Sequence, residues 1–372
     1  MNLRKIWAVA KKEALQASRD PLSLAMLLGL PTIMLLMYGY AINFDVRHVR
    51  LAVRDLDKSE ESRSLVASFV NSTYFDLVAD VPAGADVDLI TETRVAKAVL
   101  AIPEGFARSL ARGGTATVQL LLDGADANTA TTVLGYATAL VADANLRRYA
   151  EHTGIEIRPV GYEPRVFYNP ELRTTQFLVP GLVGFILMLT AVVSTALSVV
   201  REKERGTMEQ LRVTSLTAGE LLIGKTLPYL AISLLATVII LTAARVLFGV
   251  VIRGPYLDLF VATIIYLVGA LAWGLLVSSI AETQALAFQI GMVTSMLPAI
   301  FLSGFIFPIR SMPAPIELLT YAVPARYFLV IIRGIILKGA GLASYWQDVA
   351  FLVLYATVVL TLAYARLRRR EG

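Results

Sequence analysis

The fold of this chain is constrained most by a succession of apolar runs, each close to the roughly 20 residues a helix needs to cross a bilayer. They lie at Pro21–Ile42, Gln176–Val200, Leu227–Phe248, Leu257–Ile280, Ala285–Leu302 and about Tyr345–Ala365. Lipid offers a backbone N–H or C=O no partner, so an uncharged run of this length resolves as a helix that satisfies its own hydrogen bonds. With 56% hydrophobic residues among 372, the chain exceeds the roughly 45–50% usual in soluble domains. The expected class is a mainly α integral membrane protein with six transmembrane helices.

Residues 1–20 read as an amphipathic interfacial helix. Leu3, Ile6, Trp7, Ala10 and Ala14 recur at helical spacing, with Arg4, Lys5, Lys11 and Lys12 on other faces. Asp20-Pro21 suits a new helix start, with Asp as cap and Pro at the first turn. The first span is 21–42, kinked at Pro31.

Residues 43–174 then turn polar and alternate short β-branched stretches with helical ones. Val49–Val53, Phe75–Val81, Ala98–Ile102 and Val118–Leu122 read as strands; Glu60–Val70, Val87–Thr93, Gly105–Arg112 and Asn128–Glu151 read as helices. This predicts a small α/β domain inserted between the first and second spans. Asn71-Ser72-Thr73 fits a glycosylation acceptor, a pattern common by chance, and is read as structural. The second span is 175–200, a polar connector 201–226, and the third to fifth spans 227–302. Residues 303–341 hold Pro308, Pro313, Pro315 and Pro324 and read as a re-entrant hairpin followed by an amphipathic helix, Arg326–Leu337. The last span and a basic tail fill 342–372.

Six spans put both termini on one side. Five cations flank the start (Arg4, Lys5, Lys11, Lys12, Arg19), five lie in the connector and four close the chain (Arg366, Arg368, Arg369, Arg370). The opposite segments offer Arg253, Arg310, Arg326, Arg333 and Lys338. Basic residues favour the cytoplasm. The termini and connector are therefore expected there, in a bacterial inner membrane, and the α/β domain outside. The net charge of +5 is explained by these flanks, so nucleic acid is not an expected partner. There is no cysteine and there are two histidines, which argues against a metal site. No set of nucleophile, base and orienting residue stands out.

The connector is the most informative stretch. Arg201, Lys203, Arg205, Arg212 and Lys225 stand among Glu202, Glu204, Glu209 and Glu220, and Lys203–Leu211 reads as a short amphipathic helix. Two readings stay open on charge alone: a solvated loop that sets topology, or a surface that docks a soluble protein. Within it, Gly219 to Thr226 spells the phosphate-loop pattern G-x-x-x-x-G-K-[ST]. A phosphate loop follows a buried strand; here a polar turn precedes and a span follows. The stretch instead reads as the lead into the third span, with Lys225 as its interfacial anchor.

Arg201-Glu-Lys-Glu-Arg-Gly-Thr-Met-Glu-Gln-Leu211 closely resembles the cytoplasmic coupling segment of ABC-2-type transporter permeases. Asn169–Arg173 leading into Phe177–Gly181, Leu302–Pro308, Met312-Pro313 and Tyr327 through Gly339 resemble other parts of that family in order and spacing. Ser215 departs from it, where relatives often carry proline. The resemblance implies a type V exporter fold and a subunit without its own ATPase. Two such chains, identical or sister permeases, would each dock an ABC ATPase that binds ATP and Mg. Membrane lipid and a periplasmic adaptor are further candidate partners. Arg201, Glu202, Lys203, Glu204, Arg205, Gly206, Thr207, Glu209, Gln210 and Leu211 would form the coupling segment. The second and fifth spans would line the path of an amphiphilic drug or lipid-like substrate. There they offer Thr190, Ser194, Thr195, Ser198, Gln289, Met292, Thr294, Ser295 and Met296, which serve equally as helix-packing residues. The rival readings are a membrane sensor with an outer ligand-binding domain, for which no cytoplasmic output module is evident, and an intramembrane enzyme. In the enzyme reading Arg245 would be the one clear charge within a span.

Overall fold

In the computed structural model the chain divides into two units, Met1–Asn43 with Arg165–Gly372, and Phe44–Pro164. The structure describes residues 2–41, 46, 48–85, 95–125, 127–153, 167–169, 173–207 and 216–369. The expected helix Val87–Thr93 lies outside them.

The first unit opens with α1 (Leu3–Ser18), whose Asn2 side chain accepts from the Arg4 N–H at 3.0 Å. Its buried face is Ile6, Val9, Ala10 and Glu13, whereas Leu3 and Trp7 are exposed. The packed stripe is thus rotated from the one drawn by apolarity alone, and it contains an acid. Helix α2 (Pro21–Ala41) carries Pro31 in its interior.

The second unit is α/β. Strand β1 (Val49–Asp55) is followed by α3 (Glu60–Val70), β2 (Phe75–Asp80), β3 (Ala98–Ile102), α4 (Phe106–Ala111), β4 (Gln119–Leu122) and α5 (Ala127–Thr153). The sheet order is β2-β1-β3-β4, with β1 parallel to β2 and β3, and β4 antiparallel to β3. Helix α3 starts where Ser59 accepts from the Ser62 N–H at 3.1 Å and Glu60 and Glu61 meet the helix N-terminus. Leu51, Phe69, Phe75, Leu100 and Ile102 fill the core, closed by Val133 and Ala137 of α5.

The first unit resumes with α6 (Thr174–Glu204), α7 (Ala218–Phe248), α8 (Tyr256–Ile280) and α9 (Gln284–Leu297), the last prolonged by a π turn, Pro298–Leu302. Then come α10 (Ala314–Thr320), α11 (Pro324–Arg333) with a second π turn, Gly334–Lys338, and α12 (Trp346–Arg369). Among the described residues five helices are long and apolar enough to cross a membrane, or six if α10 and α11, bent by 76°, form one span. Leu27–Ala41 is a shorter apolar helix.

Helix α6 is the axis: 78% of its most apolar window is buried. Helix α8 approaches so closely that a Cβ on Gly274 would lie 2.5 Å from the Val192 carbonyl oxygen. Tyr266 is fully buried, donates to the Gly184 carbonyl at 2.8 Å and stacks on Phe328 at 4.0 Å.

Helix α11 is the amphipathic helix expected there, with its apolar face enclosed. Tyr327, Phe328, Leu329, Ile331 and Ile332 are all buried. Arg333, expected as a topological flank, donates to the carbonyls of Gly304 (3.1 Å) and Phe305 (3.3 Å), with its guanidinium 3.8 Å over the Phe177 ring. The break at Gly304 leaves carbonyls without helical partners, and a cation supplies them.

Candidate functional site

Helix α6 does not stop where its apolar run stops. It continues through Arg201, Glu202, Lys203 and Glu204, and Arg205 caps it by donating its N–H to the Arg201 carbonyl at 3.1 Å. Gly206 follows at φ +70°, a conformation that favours glycine, and donates to the Lys203 carbonyl at 3.1 Å. Lys203 and Glu204 are therefore the last turn of the span and not the start of a separate helix. Glu209, Gln210 and Leu211 lie outside the described residues.

Each of those four charged residues holds a different neighbour. Arg201 pairs with Asp20, between α1 and α2, at 3.2 Å. Glu202 pairs with Lys225 of α7 at 2.5 Å and with Lys12 of α1. Lys203 donates to the carbonyls of Ser278 and Ala281, at the C-terminus of α8. Glu204 accepts from the Gln284 N–H at 2.7 Å and from its side-chain amide, at the N-terminus of α9. Helix ends leave carbonyls and N–H groups unpaired and carry partial charge of opposite sign. A lysine at one helix C-terminus and a glutamate at the next N-terminus answer both.

Behind this tip lies a buried ion cluster. Glu13 is 2% exposed, Glu202 3% and Lys225 2%. Lys225 is 3.0 Å from Glu13, Lys12 is 3.3 Å from Glu13, and the Ser198 hydroxyl donates to Glu13 at 3.3 Å. Two acids facing two lysines make the cluster neutral, which a buried charged group requires. Burial pulls the Lys12 ammonium down, but the hydrogen bonds and charges of Glu202 and Glu13 outweigh it and hold the group above its ordinary value. The Asn2 backbone N–H reaches Glu220 at 2.6 Å, and Glu220 closes a capping box with Thr217 at the start of α7. Val9, Val199 and Leu221 pack there with Leu216, Leu275 and Leu367. The N-terminal helix, both described ends of the connector and the last helix thus meet at one end of the unit.

Two sequence assignments change. Glu202 is enclosed by its lysines and cannot meet a docked protein. Lys225 is buried rather than reaching for the interface. Glu13, on the packed face of α1, was not singled out by the sequence, although an acid within an apolar stripe is itself a signal for a buried cation. The phosphate-loop string runs from Gly219 to Thr226 inside α7, its lysine held by two carboxylates.

The substrate-path residues divide. Ser194 and Thr195 are buried and return their hydroxyls to the Ala191 carbonyl, and Ser295 does so to Gly291 at 2.6 Å. Ser198 serves Glu13. These four face the interior of the chain. Thr190, Met292 and Met296 are half-buried, and Gln289 is exposed. Thr294, also half-buried, accepts from the Trp273 indole N–H at 3.1 Å.

In the α/β unit, ligands of open parallel sheets usually sit beyond the carboxyl ends of strands where connections diverge. Between β1 and β3 that place holds Asp57, which accepts from the N–H groups of Gly105 (2.8 Å) and Ala107 (3.0 Å). Hydrogen bonds from Ser59 and these amides hold its carboxyl below the usual range.

A family model described as "ABC-2 family transporter protein" matches residues 22–365. The chain belongs to this family. It is 33% identical, over all of its length and 98% of the relative's, to the probable multidrug ABC transporter permease YbhS of Escherichia coli (strain K12). To the probable multidrug ABC transporter permease YbhR of the same organism it is 30% identical over 98% of this chain and 99% of the relative. To ABC transporter G family member 20 of Dictyostelium discoideum it is 24% identical over 98% of this chain, which spans 50% of that relative. Family membership and the apolar helices together make this ABC-2 protein an integral membrane protein with a transport permease role.

Proposed function

We propose that this chain is the membrane subunit of an exporter that moves an amphiphilic, drug- or lipid-like substrate out of the cytoplasm. The energy comes from ATP hydrolysed by a separate ABC ATPase, which holds ATP and Mg. Two ATPase copies serve two permease chains, identical or sister. The chain lies in the inner membrane with its termini and the connector in the cytoplasm and the α/β unit outside. The cation distribution supports this orientation, as does the meeting of both terminal helices with the connector at one end of the first unit.

The observation that carries the reading is the set of four grips from Arg201 to Glu204, followed by the exposed Arg205 and Gly206. An ATPase that seizes the connector from Arg205 onward displaces a helix end already fastened to α1, α2, α7, α8 and α9. Binding of ATP then biases one of two packings of the spans through that single handle. On α6 and α9 the residues left to meet substrate are Thr190, Gln289, Met292, Thr294 and Met296.

The test is reconstitution in proteoliposomes with a candidate ABC ATPase partner. The variant is Arg205→Glu, which spares the gripping residues. Stimulation of ATP hydrolysis by the permease is expected to fall at least tenfold while the chain remains folded. Undiminished stimulation would sink the coupling role, and hydrolysis by the purified chain alone would sink the subunit assignment.

A further inference from the structure

We infer that the outward face of α1 is a binding site for anionic phospholipid headgroups. The helix packs through Ile6, Val9, Ala10 and Glu13, and its outward arc carries Leu3, Arg4, Trp7 and Lys11, all exposed. Arg4 and Lys11 are seven residues apart, two turns along one face. Trp7 lies between them with 69% of its surface open. Glu13 is the only acid between Asn2 and Arg19, and it points inward at Lys225. The outward arc is therefore cationic without internal neutralisation.

An indole and a leucine beside two cations match the boundary between acyl chains and phosphates. The ring takes the interfacial layer, and the guanidinium and ammonium reach the headgroup oxygens. Charge complementarity selects the occupant: each cation near an anionic bilayer surface favours it about fivefold. The same helix carries Glu13 into the cluster with Lys225 and Glu202, so headgroup charge bears on an element fastened to the connector.

The inference needs only the membrane character of the chain, and its test involves no ATPase, so its failure leaves the coupling reading standing. Trp273→Phe with Trp346→Phe leaves Trp7 as the sole indole. The full chain is reconstituted in phosphatidylcholine vesicles doped with either brominated phosphatidylglycerol or brominated phosphatidylcholine, at equal mole fraction. Quenching of Trp7 by the anionic lipid is expected to exceed that by the zwitterionic one about fivefold or more at 0.1 M salt. Arg4→Gln with Lys11→Gln should bring the ratio close to one. Raising salt to 1 M, where the screening length falls from about 10 to about 3 Å, should at least halve it. A ratio near one in the unaltered face, or one that survives both the double substitution and high salt, overturns the site. Should the double variant fail to insert, the salt series decides alone.

Discussion

Replacing Lys225 by methionine tests the buried cluster most directly. The ammonium lies 3.0 Å from Glu13 and 2.5 Å from Glu202, and both acids are almost wholly enclosed. Methionine keeps the length and the apolar stem of lysine but strands two carboxylates on one remaining cation, Lys12, whose side chain is 45% exposed. Removing one partner of a buried ion pair costs about 3–5 kcal/mol, whereas a solvated pair is worth about 0–1 kcal/mol. Lys12 can shift toward the vacated space, so the expected loss is about 3 kcal/mol. The assay is reversible unfolding of the full chain in mixed micelles, titrated with a denaturing detergent. Adding Glu13→Gln and Glu202→Gln to Lys225→Met removes the stranded charges and should recover more than half of the loss, a non-additivity that measures coupling between neighbours. A loss under about 1 kcal/mol for Lys225→Met, or a triple variant no more stable than the single one, would refute the argument that the charges here are desolvated and mutually dependent.

Three further outcomes are expected. A Cβ on Gly224 would sit 2.7 Å from Val9 Cβ, 2.8 Å from Val9 Cγ1 and 3.0 Å from the Ile6 carbonyl oxygen, so Gly224→Ala should cost about 1–3 kcal/mol in the same titration, and Val9→Ala, which removes the Cγ1 contact alone, should relieve only a minor part of it. Tyr266→Phe removes the bond to the Gly184 carbonyl, which stays inside the helical ladder of α6; the expected cost is therefore that of one hydrogen bond, about 0.5–1.5 kcal/mol, in the same titration. Because the folded Asp57 carboxyl sits below its ordinary value, it stabilises the β3–α4 turn above the unfolded value, about 3.9. That contribution is lost as pH falls through the lower folded value. Hydrogen exchange of amides 105–111, corrected for intrinsic rate, should stay protected at pH 5 and open as pH drops below about 4, while Asp57→Asn should be open throughout.

Elements governed by local chemistry were legible in the sequence. The helix Glu60–Val70 follows from Ser59 as cap and two acids in its first turn, and Ala98–Ile102 from a short apolar run between polar residues. The long apolar runs gave the candidate spans, although α7 begins at Ala218, nine residues before the expected Leu227. What was not legible depends on partners far along the chain: Glu13 and Lys225 are separated by 212 positions and Lys12 and Glu202 by 190. Charge in a membrane protein reads as a boundary, so sequence alone assigns Arg201–Glu204 to a connector separate from the second span and Arg333 to a flank. Helix α6 keeps its backbone ladder past Val200 because the four charged side chains find partners on helices that only the folded chain brings together. The packed face of α1 was misplaced for the same reason: a glutamate with a buried lysine opposite behaves as a core residue.

The two π turns, Pro298–Leu302 and Gly334–Lys338, have a consequence for where the bundle can yield. Both lie at the far end of their helices from the Arg201–Glu204 tip, and in the second the Ile336 carbonyl accepts from the Arg253 N–H at 3.2 Å. Widened turns trade helical hydrogen bonds for local slack. With one end stapled by charge and the other loosened by irregular winding, a push at the stapled end should surface as splaying at the opposite mouth.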